Sequence, residues 1–214
     1  MRVDVWSDVV CPWCYIGKRR LEAALERFPE RAAVNVVFHS FQLDPSAPSR
    51  SDVSLLDMLA RKYGTSPAQA AEMQARVTGV AAEAGLTFRL EAAAPENTFD
   101  AHRLLHLAAE RGVQPELKEA LMHAYFCEGR RVADPATLAA IAVAVGLDAA
   151  EVSRVLGEPA AFADAVRADE QAARRYGVRG VPFFVLGQKY GVSGAQSADT
   201  LLAALSRAWS EGAD

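Results

Sequence analysis

Cys11-Pro12-Trp13-Cys14 stands between a run that reads as a strand, Arg2-Val3-Asp4-Val5-Trp6, and a run that reads as a helix from about Pro12 to Phe28. Two thiols at i and i+3 of a helix start can close into a disulfide and open again. Pro12 suits the first helical position, where a missing N–H and a fixed φ cost nothing. Cys11 then falls at the N-cap and Cys14 one turn in. A thiolate at Cys11 would accept hydrogen bonds from the orphan backbone N–H groups and meet the positive end of the helix dipole. Both effects predict a Cys11 pKa below the free value of about 8.5. Leu21, Ala24, Leu25 and Phe28 make an apolar stripe at i, i+3, i+4, i+7, which extends back through Gly17 to Cys14. This predicts a buried Cys14 and an exposed Cys11 at the tip, an arrangement that suits an attacking thiol and a protected resolving thiol.

The chain has 214 residues, a net charge of −4 and three cysteines. That length can bury a full core, as one domain or as a domain with a sizeable insertion. The charge balance gives no support for nucleic acid or an anionic membrane as partner, and Lys18-Arg19-Arg20 reads as the solvated face of the first helix. No signal-peptide h-region and no apolar run of 18 or more is present, so the expectation is a cytoplasmic protein. So few cysteines argue against a structural disulfide framework.

Val34 to Phe38 reads as a second, buried strand, so the chain opens as a βαβ unit. From about Asp52 to Tyr176 it turns helical and Ala-rich, with room for five to seven helices. Ser66-Pro67-Ala68-Gln69 joins a capping box to Pro at N1. Asn97, Asp134 and Asp148 are further helix-start signals. Strand character returns over Val181 to Leu186, and Gly187-Gln188 suits a two-residue II′ turn into Lys189 to Val192. A last amphipathic helix carries Leu202, Leu205 and Trp209. The expected architecture is α/β: a core from 1–50 and 177–214 with an all-helical insertion at 51–176.

This order, with C-P-W-C opening the first helix and Gly180-Val181-Pro182 opening the third strand, resembles the thioredoxin-like fold. More narrowly it resembles the DsbA family of disulfide oxidoreductases, in its cytoplasmic FrnE-like branch. The matching stretches are Ser7-Asp8…Cys11-Pro12-Trp13-Cys14-Tyr15-Ile16-Gly17, Asn97-Thr98…Ala101-His102-Arg103, Ala124-Tyr125-Phe126…Glu128-Gly129 and Gly177-Val178…Gly180-Val181-Pro182. The resemblance implies Cys11 as nucleophile, Cys14 as resolving thiol and Pro182 as a cis-proline facing the disulfide. It also implies that the Val181 backbone pairs with an extended substrate segment. No cofactor is implied. Pro-Trp between the cysteines, where exported relatives carry Pro-His, weighs against strong net oxidation.

Trp13 is a candidate rim aromatic for substrate. Asn97, His102 and Arg103 could line a groove in the helical insertion, or be a cap and a solvated face. His39 could be a satisfied core histidine or a proton acceptor near Cys14, and Asp8 could oppose ionisation of the nearby thiol or close the strand. Cys127 reads as a buried small hydrophobe or a third redox thiol. A rival reading is zinc: the thiols read as half a site without a second C-x-x-C, but His102/His106 and His123/Cys127, two i, i+4 pairs on neighbouring helices, could make a four-ligand His₃Cys site. The functional expectation is thiol–disulfide exchange with protein or small-thiol disulfides. The alternatives are a glutathione-dependent isomerase or transferase of the kappa-class type, in which Ser stands at position 11, and a redox-sensing binding protein.

Overall fold

Strand β1, Arg2–Ser7, lies at the centre of the sheet and is covered on both faces. Val3 and Val5 are buried on one side, and Asp4 and Trp6 are buried on the other. The strand therefore has two buried faces, although Val3 and Val5 alternate with Asp4 as in a half-buried strand. On the second face Trp6 stacks on His39 at 4.5 Å between centroids, and its indole N–H donates to the Asp169 carbonyl at 3.0 Å. The computed structural model describes residues 1–212; Ala213 and Asp214, the last two of the expected core segment, lie outside the described residues.

Helix α1, Pro12–Glu26, starts on Pro12 and is capped at Arg27, two residues short of the expected end. Pro29 explains the stop, because it disfavours helical backbone at the residue before it. Strand β2, Asn35–Ser40, runs parallel to β1, with Arg2 opposite Asn35 and Ser7 opposite Ser40. Its outer edge is satisfied in part by one side chain: Gln114 accepts from the Phe38 N–H at 3.1 Å and donates to the Phe38 carbonyl at 2.9 Å.

Seven helices follow among the described residues: α2 Leu55–Tyr63, α3 Pro67–Glu83, α4 Phe99–Glu110, α5 Gln114–Phe126, α6 Pro135–Ala144, α7 Ala149–Gly157 and α8 Ala163–Arg175. Ser66, Asp134 and Asp148 cap their helices through their side chains. At α4 the N-cap is Thr98; Asn97 stands one residue earlier and accepts from the Phe99 N–H at 2.9 Å.

Strands β3, Phe183–Leu186, and β4, Tyr190–Ser193, complete an antiparallel half, giving the order β2-β1-β3-β4. Gly187 and Gln188 both have positive φ, and the Lys189 N–H donates to the Leu186 carbonyl. That sign pattern is type I′ where II′ was expected. Helix α9, Ala198–Ser210, buries Leu201, Leu205 and Ala208. Leu202 is half-buried, and Trp209 sits at the margin, edge-on to Phe28 at 6.1 Å. The architecture is a thioredoxin-like fold interrupted by a helical insertion.

Two cores hold the halves. Val3, Val5, Leu21, Phe184, Leu201 and Leu205 pack the sheet against α1 and α9. Each such buried aliphatic or aromatic side chain stabilises the fold by about 1.5–3 kcal/mol. Leu104, Leu107, Leu117, Leu121 and Phe126 centre the second core, and Cys11, Cys14, Tyr15 and Ile16 belong to it. The thiols thus lie in the seam between core and insertion. In the basic run of α1, Lys18 and Arg19 are part of that seam and not a solvated face. Lys18 is buried and pairs with Glu22 at 2.5 Å and with Glu119 of α5 at 2.6 Å. Arg19 also pairs with Glu119, and Arg20 donates to the Ala195 carbonyl at 2.6 Å.

Candidate active site at the start of helix α1

Cys11 is the N-cap of α1, but its side chain makes no cap hydrogen bond. Its Sγ turns instead toward the Val181 carbonyl at 3.6 Å. Cys11 is only 3% exposed, which corrects the expectation of an open tip: the loop before β3 covers it. The residue that does reach solvent is Trp13, at 41%. Cys14 lies one turn in, with its N–H on the Cys11 carbonyl at 3.0 Å. Burial first, then the hydrogen bond and charge of Cys11, push the Cys14 thiol well above the ordinary thiol value. Both cysteines are free thiols.

The covering loop is fixed from both sides. The Val181–Pro182 peptide is cis, and the Pro182 carbonyl accepts from the Gly194 N–H at 2.8 Å. Helix α1 approaches it at Gly17, where a Cβ would stand 2.8 Å from Pro182 Cγ. A cavity of about 320 Å³ opens beside Cys11, lined by Trp13 and Val181 and, from α2 and α3, by Met58, Tyr63 and Met73. A second, of about 720 Å³, shares Val10, Leu43, Leu55, Met58 and Lys62 with it.

Beneath the thiols lies a buried polar group. Asp8 accepts from the Val9 N–H at 2.7 Å and the Leu43 N–H at 2.8 Å, and meets His102 Nε2 at 3.2 Å. Burial opposes its charge, yet the hydrogen bond and charge of His102, the Leu43 N–H and the charge of Lys118 hold its carboxyl below the ordinary value. Lys118 of α5 is fully buried and donates to the Ser7 carbonyl at 3.3 Å. Burial lowers its pKa to about 8, against the pull of Cys14, Asp8 and Cys11. Sequence reasoning missed Lys118, because Glu116-Leu117-Lys118-Glu119 on an amphipathic helix reads as a wet face.

The other candidates separate. His102 joins the thiol surroundings through Asp8. Arg103 is 2% exposed, and its guanidinium donates to the Ala161 carbonyl at 2.8 Å, to the Glu158 carbonyl at 2.6 Å and to the Val155 carbonyl, tying α4 to the end of α7. Asn97 donates to the Pro45 carbonyl at 3.1 Å and braces the 45–48 loop. Neither Asn97 nor Arg103 lines the cavity beside Cys11. His39 is bridged to Asp4 and Asp169 at 2.6 Å each, and its polar contacts do not include Cys14. Cys127 caps α5, half-buried, where burial raises its pKa. The histidines of the rival zinc reading face different partners: Asp8 for His102, Ser40 and Asp169 for His106, Glu128 for His123. That set of four does not assemble.

A thioredoxin-like sheet, a dithiol opening its first helix and a proline loop across from Cys11 together define a DsbA-like oxidoreductase fold. Over residues 2–206 the chain matches the DSBA-like thioredoxin domain, and it belongs to that family. It is 49% identical to a probable DsbA oxidoreductase from Streptomyces coelicolor, with a TM-score of 0.95, covering 99% of this chain and 91% of that one. It is 26% identical to the uncharacterised protein YwbO of Bacillus subtilis over 208 residues, 96% of each chain. It also shares its fold with a 2-hydroxychromene-2-carboxylate isomerase: 17% identity, a TM-score of 0.74, and coverage of 100% and 98%.

Proposed function

We propose that this protein is a thiol–disulfide oxidoreductase that exchanges the Cys11–Cys14 pair with disulfide substrates. The observation that carries the reading is the placement of Cys11 at the helix N-cap, beside the Val181 carbonyl and a cavity, with Cys14 sealed one turn behind. Ionised Cys11 attacks one sulfur of the substrate disulfide, the substrate S–S bond breaks, and the departing thiolate takes a proton. Ionised Cys14 then attacks Cys11, breaking the mixed disulfide and releasing the second substrate thiol. The protein pair is oxidised and the substrate reduced, and the reverse order oxidises a dithiol. Trp13 and the Val181–Pro182 backbone are the proposed substrate contacts. Proteins and small thiols, glutathione among them, are the proposed partners, and a cytosolic setting belongs to the same proposal. Among the described residues no helix is long and apolar enough to cross a membrane.

A second reading, a glutathione-dependent isomerase or transferase, is favoured by one observation: Cys11 faces a cavity walled mostly by apolar side chains. One assay separates the two. Insulin reduction with glutathione as electron donor, run on wild type, Cys11→Ser and Cys14→Ser, is expected to lose turnover in both variants. Retained catalysis of glutathione transfer in Cys14→Ser, with no disulfide turnover by wild type, overturns the oxidoreductase reading.

A further inference from the structure

The cavity beside Cys11 has walls that the exchange chemistry itself does not use. Three of the six large apolar side chains left exposed among the described residues, Trp13, Leu43 and Tyr63, line it. Exposed apolar surface gathered at one opening marks a contact site. Met58 of α2 and Met73 and Val77 of α3 add half-buried apolar walls. Lys62 is the one charged side chain in the lining among the described residues.

Gln74 of α3 does not fit this apolar wall. Ala70, Gln74, Val77 and Ala81 follow i, i+4, i+7, i+11, the stripe that an amphipathic helix turns inward. Ala70 and Ala81 are fully buried, so a polar amide holds an apolar position between them. Its Nε2 is buried with no hydrogen-bond partner among the described residues. Of the buried side-chain atoms so left, it is the one whose residue lines the cavity beside Cys11. An unpaired buried donor costs as much as a lost hydrogen bond, and an apolar side chain of the same length would avoid that cost. Cys11 and Gln74 wall the same cavity, whose volume of about 320 Å³ is at the small end of ligand sites. A chain bonded to Cys11 through its own cysteine therefore meets Gln74 within a residue or two.

We propose that Gln74 determines substrate specificity: its amide donates to a peptide carbonyl beside the reacting cysteine of a polypeptide. The apolar side chain next to that cysteine fills the cavity. The proposal rests on the oxidoreductase reading and names the substrate class for the same site. A glutamine amide is both donor and acceptor, the complement of a peptide group. Glutathione has peptide carbonyls too, but it flanks its cysteine with glutamate and glycine and gives Met58, Met73 and Val77 nothing apolar to cover. A lysine or arginine in the same place meets the like charge of Lys62. The favoured substrate is a protein disulfide whose cysteine has a bulky, apolar neighbour. The exchange steps are unchanged, so no further oxidant or reductant enters.

The test runs single turnovers of the reduced full chain against four disulfides and measures the thiol released after acid quench. They are the dimers of N-acetyl-Phe-Cys-Phe amide and N-acetyl-Lys-Cys-Lys amide, glutathione disulfide, and hydroxyethyl disulfide, which has no carbonyl. Dividing each rate by that of the same disulfide with dithiothreitol removes its intrinsic reactivity. Wild type should prefer the Phe dimer to each of the others by about tenfold or more. Gln74→Met removes the donor at similar length. It should cut the preference for the Phe dimer over hydroxyethyl disulfide about tenfold, the worth of one hydrogen bond, while the urea midpoint holds or rises. Gln74→Glu accepts but does not donate, and should lose the preference as well. A preference that survives both variants overturns the role of Gln74. Equal rates for the Phe and Lys dimers in wild type, a result that needs no variant to fold, overturn the apolar pocket. Glutathione disulfide reacting faster than the Phe dimer overturns the polypeptide assignment in favour of a small thiol. No reaction of wild type with any of the four would sink the dithiol reading itself, which is a separable outcome.

Discussion

Gly17 lies directly against Pro182: a Cβ at position 17 would stand 2.8 Å from Pro182 Cγ and 3.3 Å from the Phe184 ring. One missing methyl group lets α1 seat against the loop that covers Cys11. Gly17→Ala should therefore cost stability, by about 1–3 kcal/mol for overpacking, although alanine is the better helix former. It should also slow disulfide exchange, because the clash falls on the residue next to Val181. Urea unfolding and insulin turnover on the variant check both, and a more stable, fully active Gly17→Ala would refute the close fit.

Arg103 was a candidate for binding substrate, and the structure gives it inter-helix carbonyls instead. Arg103→Ala removes a buried cation and leaves those carbonyls without their donor, which should destabilise by about 3–5 kcal/mol. The folded fraction should keep the wild-type exchange rate. A variant with unchanged stability and a raised KM for disulfide would return Arg103 to the binding site.

His39 sits between two carboxylates. Burial pulls its pKa down, but Asp169 and Asp4 outweigh burial and raise it from 6.5 to about 9. A raised histidine pKa stabilises the fold fully below the unfolded value and ceases to do so as pH climbs through the folded one. Between pH 6.5 and about 9.5, stability should fall by about 3 kcal/mol from this residue alone. Asp4 and Asp169 are lowered, so their contribution is lost toward acid. Lys118 runs the other way, since its lowered pKa returns stability above about 8. Comparing urea midpoints of wild type and His39→Gln across this range isolates the His39 part, which should vanish in the variant.

The two thiols should differ sharply in reactivity. With its pKa pushed up and its sulfur sealed, Cys14 should resist iodoacetamide at pH 7 in folded, reduced protein, while Cys11 is modified through the cavity beside it. Peptide mass mapping over time reads the order. Modification of Cys14 first would contradict the assigned roles.

The features legible in the chain were those made by residues close together along it. Cys11, Pro12 and Cys14 specify a helix start whatever surrounds them, and the Ser66, Asp134 and Asp148 caps bond within three residues of themselves. The strands followed from runs of β-branched and aromatic residues, and the split core from their order. Where two local solutions lie close in energy the reading slipped: Gly187-Gln188 took the other mirror turn, and Asn97 stepped one place out of its cap.

Tertiary structure alone decided which charged and polar groups are inside. Arg103 and Lys118 sit on helices whose sequence suits a wet face as well as a buried one, and although Arg103 pairs with Asp100 three residues before it, the carbonyls that receive the two cations lie 52 to 111 residues away. The cover over Cys11 comes from 170 residues downstream. A long cationic side chain can be buried only where distant backbone carbonyls or charges converge on it, and convergence is a property of the packed chain. Helix starts, caps and strand patterns need no such convergence, so they are written locally.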